Sequence, residues 1–250
     1  MNAQLEEPGG TVRLYVEAPL AGGARVEANE GQAHYLLHVM RAKVGDRVSL
    51  FNGRDGQWLA RLDQVSKRGC ALVCEKPTRA QTESPDLWLC FAPIKRTPAD
   101  YVVQKATELG VSVLQPVITR RTIVSRVNLE RMRANTIEAA EQSDRLDVPE
   151  IRETVSLDKL FANWDANRRV LFCDEGGDAQ PIAEALGSSL KGEAFAILTG
   201  PEGGFAPAER DAIRAHGFVI PISLGPRILR ADTAALASLA IWQAIVGDWK

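Results

Sequence analysis

From residue 87 onward, short apolar runs alternate with helical patterns, and this rhythm limits the chain to very few folds. The runs 87–91, 111–118, 170–173, 194–198 and 218–222 read as buried strands. Helical patterns over 98–110, 128–145, 181–186, 207–216 and 232–246 follow or separate them. Thr97 reads as an N-cap with Pro98 at the first helical position, and Gly110 closes that helix. Asn128 reads as the next cap. Strands joined by helical crossovers run parallel, and helices then cover both faces of their sheet. The expected fold class is therefore α/β with a mostly parallel sheet.

Two Gly-rich turns follow the last two apolar runs. The first contains Leu198, Thr199, Gly200, Pro201, Glu202, Gly203 and Gly204. The second contains Leu224, Gly225, Pro226, Arg227, Ile228, Leu229 and Arg230. Glycine lets backbone N–H and C=O groups approach a ligand, and adjacent strand-end loops form the crevice where open α/β sheets bind small molecules. Neither turn has the spacing of a dinucleotide fingerprint or the Lys-Ser/Thr of a phosphate loop, so nicotinamide and ATP chemistry are disfavoured. Glu202, Arg227 and Arg230 supply charge in an otherwise apolar setting, where an ion needs a partner or a task. Asp232 reads as the cap of the last helix, which is rich in small residues at Ala234, Ala235, Ala237, Ser238 and Ala240.

The first 76 residues have a different texture. Short strand patterns at 11–16, 47–51, 58–65 and 70–74 surround one helical stretch at 30–40, and Asn52-Gly53-Arg54-Asp55-Gly56 is a hairpin-turn signal. This reads as a small β-barrel over 1–76, followed by a linker at 77–85 and a second domain at 86–250. Net charge is only −2, but residues 31–76 carry eight Lys/Arg against four Asp/Glu, and 93–133 carry eight against three. Residues 134–250 reverse this with eleven against eighteen. A basic front half suits contact with a polyanion. Cys70, Cys74, Cys90 and Cys173 form no CxxC pair and read as reduced, buried thiols. His34 and His38 lie one helical turn apart, but no third ligand is near in sequence, so no metal is expected. No apolar stretch reaches membrane-spanning length, and a cytoplasmic protein is the expectation.

Several motifs in order resemble the RsmE family of small-subunit rRNA uridine N3-methyltransferases, within the SPOUT class. They are the stretch 34–51, Lys95-Arg96, the run 104–110, the run 138–143 and the two Gly-rich turns. The resemblance implies a PUA-like N-terminal barrel and a C-terminal trefoil knot. It also implies S-adenosylmethionine as methyl donor, bound by both turns from Leu198 to Gly204 and from Leu224 to Arg230. Arg230, Glu202 and Arg227 become the catalytic candidates. Arg41, Lys43, Arg47, Lys95, Arg96, Lys105, Arg120 and Arg121 become the RNA-binding candidates. The expected substrate is 16S rRNA or the small ribosomal subunit, and the expected assembly is a homodimer. A related enzyme acting on ribose 2′-hydroxyl or on tRNA, and an RNA-binding protein without catalysis, are the alternatives. Two positions depart from the family pattern. Ala231-Asp232-Thr233 stands where Thr-Glu-Thr is frequent, and Ala206 stands where a Ser cap is common. The second is expected to weaken the start of the following helix by about 1 kcal/mol.

Overall fold

The computed structural model describes residues 6–7, 10–66, 69–124, 126–174, 178–187 and 192–249. The chain divides into two compact units. One comprises Met1–Glu83 with Ile137–Val148, the other Ser84–Thr136 with Pro149–Lys250.

The first unit begins with a short antiparallel pair, β1 (Glu6–Glu7) and β2 (Gly10–Thr11). Its main sheet contains β3 (Arg13–Tyr15), β4 (Arg25–Glu27), β5 (Arg47–Phe51), β6 (Gln57–Ser66) and β7 (Gly69–Arg79). The order is β3-β5-β6-β7-β4, with β3 parallel to β5 and the other pairs antiparallel. The sheet ends on β3 and β4, and no ladder joins those two strands among the described residues. The strand β7 runs on to Arg79, so residues 77–79 are sheet rather than linker. The hairpin turn forms as its composition suggests. Asn52 Oδ1 accepts the amides of Arg54 and Asp55 at 3.0 and 2.9 Å, a side-chain turn that replaces strand pairing.

Helix α1 (Glu30–His34) starts with a reciprocal capping box between Asn29 and Gln32. It continues as a π-helical turn over Tyr35–Val39. Apolar side chains from the sheet and this helix, among them Val12, Leu14, Leu36, Val48, Leu50, Leu62 and Leu72, make one core with Cys70 and Cys74. Burial pushes both thiols up from their ordinary pKa.

Arg13 is the polar centre of this unit. It is 8% exposed and donates to Gln57 Oε1 at 3.0 Å and to the carbonyls of Ala140 and Glu141 at 3.0 and 3.1 Å, with a further bond to the carbonyl of Arg145. These carbonyls lie at the C-terminal end of α3 (Leu129–Gln142) and just beyond it. Such groups have no partner within a helix and favour a cation. The guanidinium also lies over the Phe51 ring, 4.6 Å from its centroid. Phe51 in turn packs with Ala140, Leu146, Tyr15 and Val148. Residues 137–148 thus belong to the first unit, although the sequence pattern placed them within the second.

The second unit contains β8 (Leu87–Phe91), α2 (Arg96–Glu108), β9 (Val113–Ile118), β10 (Glu150–Ile151), β11 (Val155–Ser156), α4 (Leu157–Ala162) and β12 (Arg169–Cys173). It continues with β13 (Gln180–Pro181), α5 (Ile182–Leu186), β14 (Phe195–Thr199), α6 (Pro207–Arg214), β15 (Val219–Ser223) and α7 (Ala231–Ile245). The sheet order is β10-β9-β8-β14-β12-β15-β13, with β11 also paired to β9. Every pair is parallel.

Alternate residues of β14 serve two cores. Phe195 and Ile197 join side chains of α2, α5 and α7, including Val103, Leu186, Leu239 and Trp242. Ala196 and Leu198 join Leu157 and Leu160 of α4 and Ile213 of α6. A sheet covered on both faces needs apolar residues at every position, which is why β14 reads as an unbroken apolar run. The caps differ from expectation in two places. Helix α2 starts at Arg96 with Lys95 at the N-cap, placing Pro98 two residues further in. Helix α7 starts at Ala231 with Arg230 at the N-cap, so Asp232 lies inside the first turn and accepts the Thr233 amide at 2.8 Å. Asp232 still faces the positive end of the helix dipole there. Asn128 does act as a cap, accepting the Arg131 amide at 2.9 Å. Among the described residues, no helix is long and apolar enough to cross a membrane.

Arg13→Met is expected to destabilise the first unit by about 3 kcal/mol, because buried carbonyls lose charged donors. The urea-unfolding transition of that unit, followed by the fluorescence of its Trp58, measures this.

Candidate functional site

Parallel pairing sends the carboxyl ends of β8, β9, β12, β14 and β15 to one edge of the sheet. A cavity of about 1480 Å³ opens there. Its walls are Ile94, Lys95 and Pro98 beyond β8, Arg121 beyond β9, and Phe172, Cys173 and Asp174 at the end of β12. Thr199 through Phe205, Ile222 through Asp232, and Ala179, Pro207, Arg210 and Ala234 complete it. Both Gly-rich turns therefore share one wall system. The exception is Leu198, which is fully buried in the core below and does not line the cavity.

The first turn is shaped by a close approach. A Cβ at Gly200 would lie 2.7 Å from the Phe205 ring, so only glycine lets that ring fold back. Phe205 then packs edge-on to Phe172 at 5.0 Å between centroids. The Gly204 amide closes the turn on the Pro201 carbonyl at 2.9 Å. Helix α6 begins at Pro207 without a side-chain cap at Ala206. Glu209 supplies the other half of the usual box, accepting the Ala206 amide at 3.0 Å. Its second oxygen accepts the Arg120 amide at 2.7 Å, and Arg121 donates to the Gly203 carbonyl at 2.8 Å.

The second turn has a left-handed residue at Gly225, φ 107°, a conformation that side chains strongly disfavour. The backbone groups of Leu224, Ile228 and Leu229 make no intramolecular hydrogen bond among the described residues. Polar backbone in a cleft without internal partners is available to a ligand. Beneath the turns, Asp174 is almost fully buried and bridges Arg210 and Arg214, each at 2.6 Å. Arg214 also holds Asp178, lowering the pKa of that carboxyl while its own rises. Cys173 bonds toward Ser238, and burial pushes its thiol up to about 12. It is therefore a neutral thiol near pH 7 and no nucleophile.

Residues 82–243 match the family described as RNA methyltransferase domain, and residues 28–73 match RNA methyltransferase PUA domain. Ribosomal RNA small subunit methyltransferase E of Rickettsia conorii is 34% identical over 230 residues, covering 91% of this chain and 93% of that protein. The Synechocystis protein of the same name is 32% identical over 238 residues, covering 94% and 78%. The chain belongs to the ribosomal RNA small subunit methyltransferase E family. A family member from Neisseria gonorrhoeae, solved bound to S-adenosyl methionine, superposes with a TM-score of 0.86. It is 28% identical over 96% of this chain and 99% of that one. A putative methyltransferase from Legionella pneumophila, with the same cofactor bound, also gives 0.86 at 29% identity, covering 95% and 99%. The fold is thus the SPOUT-type α/β fold with a PUA-like N-terminal unit.

Within this family framework, the three charged candidates Glu202, Arg227 and Arg230 all line the cavity and are exposed. None of their side chains forms an ion pair or hydrogen bond among the described residues, so Arg230 is not tied to Asp232 or Glu202. Lys95 and Arg121 line the same cavity, and Arg120 is exposed beside Arg121. Arg41 and Lys43 are exposed in the first unit, Arg41 with a left-handed φ of 53°. Three expected RNA contacts are engaged internally, Arg121 through its bond to the Gly203 carbonyl. Arg47 pairs with Glu75 at 2.7 Å, and Lys105 pairs with Glu108 at 2.7 Å one turn along its helix. The Arg96 side chain lies outside the described residues.

Sequence reasoning passed over Glu209 and Asp174. Glu209 had a signal, since a Glu three residues after an uncapped helix start completes half a capping box. Asp174 had a weaker one in Arg210 and Arg214, two cations one helical turn apart that require a carboxylate. Asp174→Ala is expected to cost about 3 kcal/mol, the low end for a broken buried pair because both arginines reach water. Chemical denaturation against the wild-type protein gives the value.

Proposed function

We propose that this protein transfers a methyl group from S-adenosylmethionine to N3 of a uridine in small-subunit rRNA. The observation that carries this reading is the convergence of both Gly-rich turns, with unpaired backbone groups and three unpartnered charges, on one cavity. The relatives' names and their bound cofactor support it. The residues present suit such a donor. Gly225 leaves open space where a side chain would intrude, and free backbone groups of Leu224, Ile228 and Leu229 can hold a purine and ribose. The cavity exceeds the roughly 300–1,000 Å³ of ordinary ligand pockets, which leaves room for a nucleobase beside the donor. We read the C-terminal segment as the trefoil knot of the class. Convergence of the loops after β12, β14 and β15 supports that reading.

When bound, the donor supplies an electrophilic methyl group. The chain's residues must present uracil N3 to it in line, which is chiefly positioning. N3 lies on the pairing edge, so the base must be unpaired or flipped out. Loss of the N3 proton spreads negative charge onto the flanking carbonyl oxygens. We assign donation to one of them to the Arg230 guanidinium, which lines the cavity and is exposed. Glu202 is the candidate proton acceptor, and Arg227 the second cation. Lys95, Arg120 and Arg121 would hold phosphates around the cavity, and Arg41 and Lys43 would hold phosphates on the PUA-like unit. We further read the protein as a cytoplasmic homodimer, with the small-residue helix α7 in the interface.

Incubation with S-adenosylmethionine and unmodified 16S rRNA is expected to yield N3-methyluridine on nucleoside digestion. Ribose-methylated nucleosides instead would replace the base with the 2′-hydroxyl as target. Arg230→Ala is expected to lower the single-turnover rate by about two to three powers of ten with both substrates saturating. A near-normal rate would pass the electrostatic role to Arg227 or Glu202. Neutralising Arg41, Lys43, Lys95 and Arg120 together is expected to weaken RNA binding and to flatten its salt dependence. A filter-binding titration across salt concentrations reads both effects.

A further inference from the structure

Glu209 is a buried carboxylate with no cation among its partners in the described residues. Its two oxygens instead hold two backbone amides from different loops. One belongs to Arg120, in the turn beyond β9, at 2.7 Å. The other belongs to Ala206, at the end of the Gly-rich turn beyond β14, at 3.0 Å. A second bridge runs beside the first, from Arg121 to the Gly203 carbonyl at 2.8 Å. The turn at 119–122 is stiff in itself. Thr122 Oγ1 accepts the Thr119 amide at 2.9 Å, and the Thr122 amide returns to the Thr119 carbonyl at 3.2 Å. The two loops are therefore fastened as one body, while the exposed side chains of Arg120 on one side and Glu202 on the other make no bond among the described residues.

We propose that Glu209 is a positioning residue that couples RNA binding to donor binding. This rests on the reading of 199–205 as a donor loop and of Arg120 and Arg121 as RNA contacts. A ligand that orders one loop orders the other through the shared carboxylate. The second ligand then meets a loop already fixed and loses less entropy on binding. The coupling is positive and reciprocal, so each substrate tightens the other by one common factor. A carboxylate is required for this. It offers acceptors to both amides, whereas a carboxamide offers one acceptor and turns its NH₂ toward the second N–H.

The test measures S-adenosylhomocysteine binding by calorimetry, with and without saturating 16S rRNA transcript. For the wild-type protein, RNA is expected to tighten S-adenosylhomocysteine about fivefold or more. In Glu209→Gln the factor should fall to about one. Hydrogen exchange gives an independent readout. S-adenosylhomocysteine should slow exchange of the Arg120 amide in the wild type and leave it unchanged in Glu209→Gln, an effect that lost stability alone would not produce. Should Glu209→Gln fail to fold, Glu209→Asp decides the matter. It keeps the buried charge but is one methylene too short to reach both amides, and should reduce the factor toward one. A wild-type factor of one overturns the coupling and leaves the proposed function standing. So does a folded Glu209→Gln, or failing that Glu209→Asp, that keeps the wild-type factor. A wild-type protein that binds no S-adenosylhomocysteine overturns the donor-site reading itself, and the coupling with it.

Discussion

Parallel pairing about β12 is the constraint on which the rest of this molecule depends. With β14 on one side and β15 on the other, all hydrogen-bonded in the same direction, the three strands release their following loops at one edge. Every apolar residue of β14 is then occupied in one of two cores, so the strand cannot shift register without exposing Phe195, Ile197 or Leu198. The loops inherit that rigidity. Gly200 leads directly out of β14 and Phe172 stands on the adjacent β12, so the loop that brings Phe205 back over Phe172 starts from fixed ground.

Much of this was legible in the residues. Unbroken apolar runs separated by helical patterns specify buried parallel strands, and the two Gly-rich turns lie where such strands must end. Asn52 and Asn128 announced a turn and a cap through side chains that bond locally, and both do so. Contacts made at long range were not legible. The helical pattern over 128–145 is continuous, and nothing in its periodicity shows that its last turns pack against Phe51. The start of α7 was misplaced because Asp is a strong cap by composition. The first ladder bond instead runs from the Ala234 amide to the Arg230 carbonyl, which makes Arg230 the boundary residue. Two-residue strands such as β10 and β13 carry too few residues for any periodicity. Chain threading leaves no local mark either, so the expectation of a knot rests on family resemblance alone.

Charge counting also had a physical limit. A tally of Lys and Arg treats every cation as available, but long side chains find carboxylates within reach. Arg47 and Arg61 share Glu75, Lys105 takes Glu108, and Arg13 is spent on carbonyls. What remains for a polyanion is a smaller set, concentrated at loop tips such as Lys43 and Arg120, whose side chains form no ion pair among the described residues. Exposed pairs of the first kind are weak, and a phosphate could still displace one. The unpartnered cations at the cavity carry no such competition.

The grip of Arg13 on the carbonyls near residues 140–145 has a consequence for how this protein can be made and varied. The N-terminal sheet is finished by chain that emerges more than fifty residues after its last strand, with β8, α2 and β9 synthesised in between. During translation Phe51 must wait with an uncovered face until residue 148 has left the ribosome. The small unit is thus no bead on a string. Severed after residue 83 it would lose its closing helix end, and recombination between relatives at that junction would pair one parent's Arg13 with another parent's helix terminus.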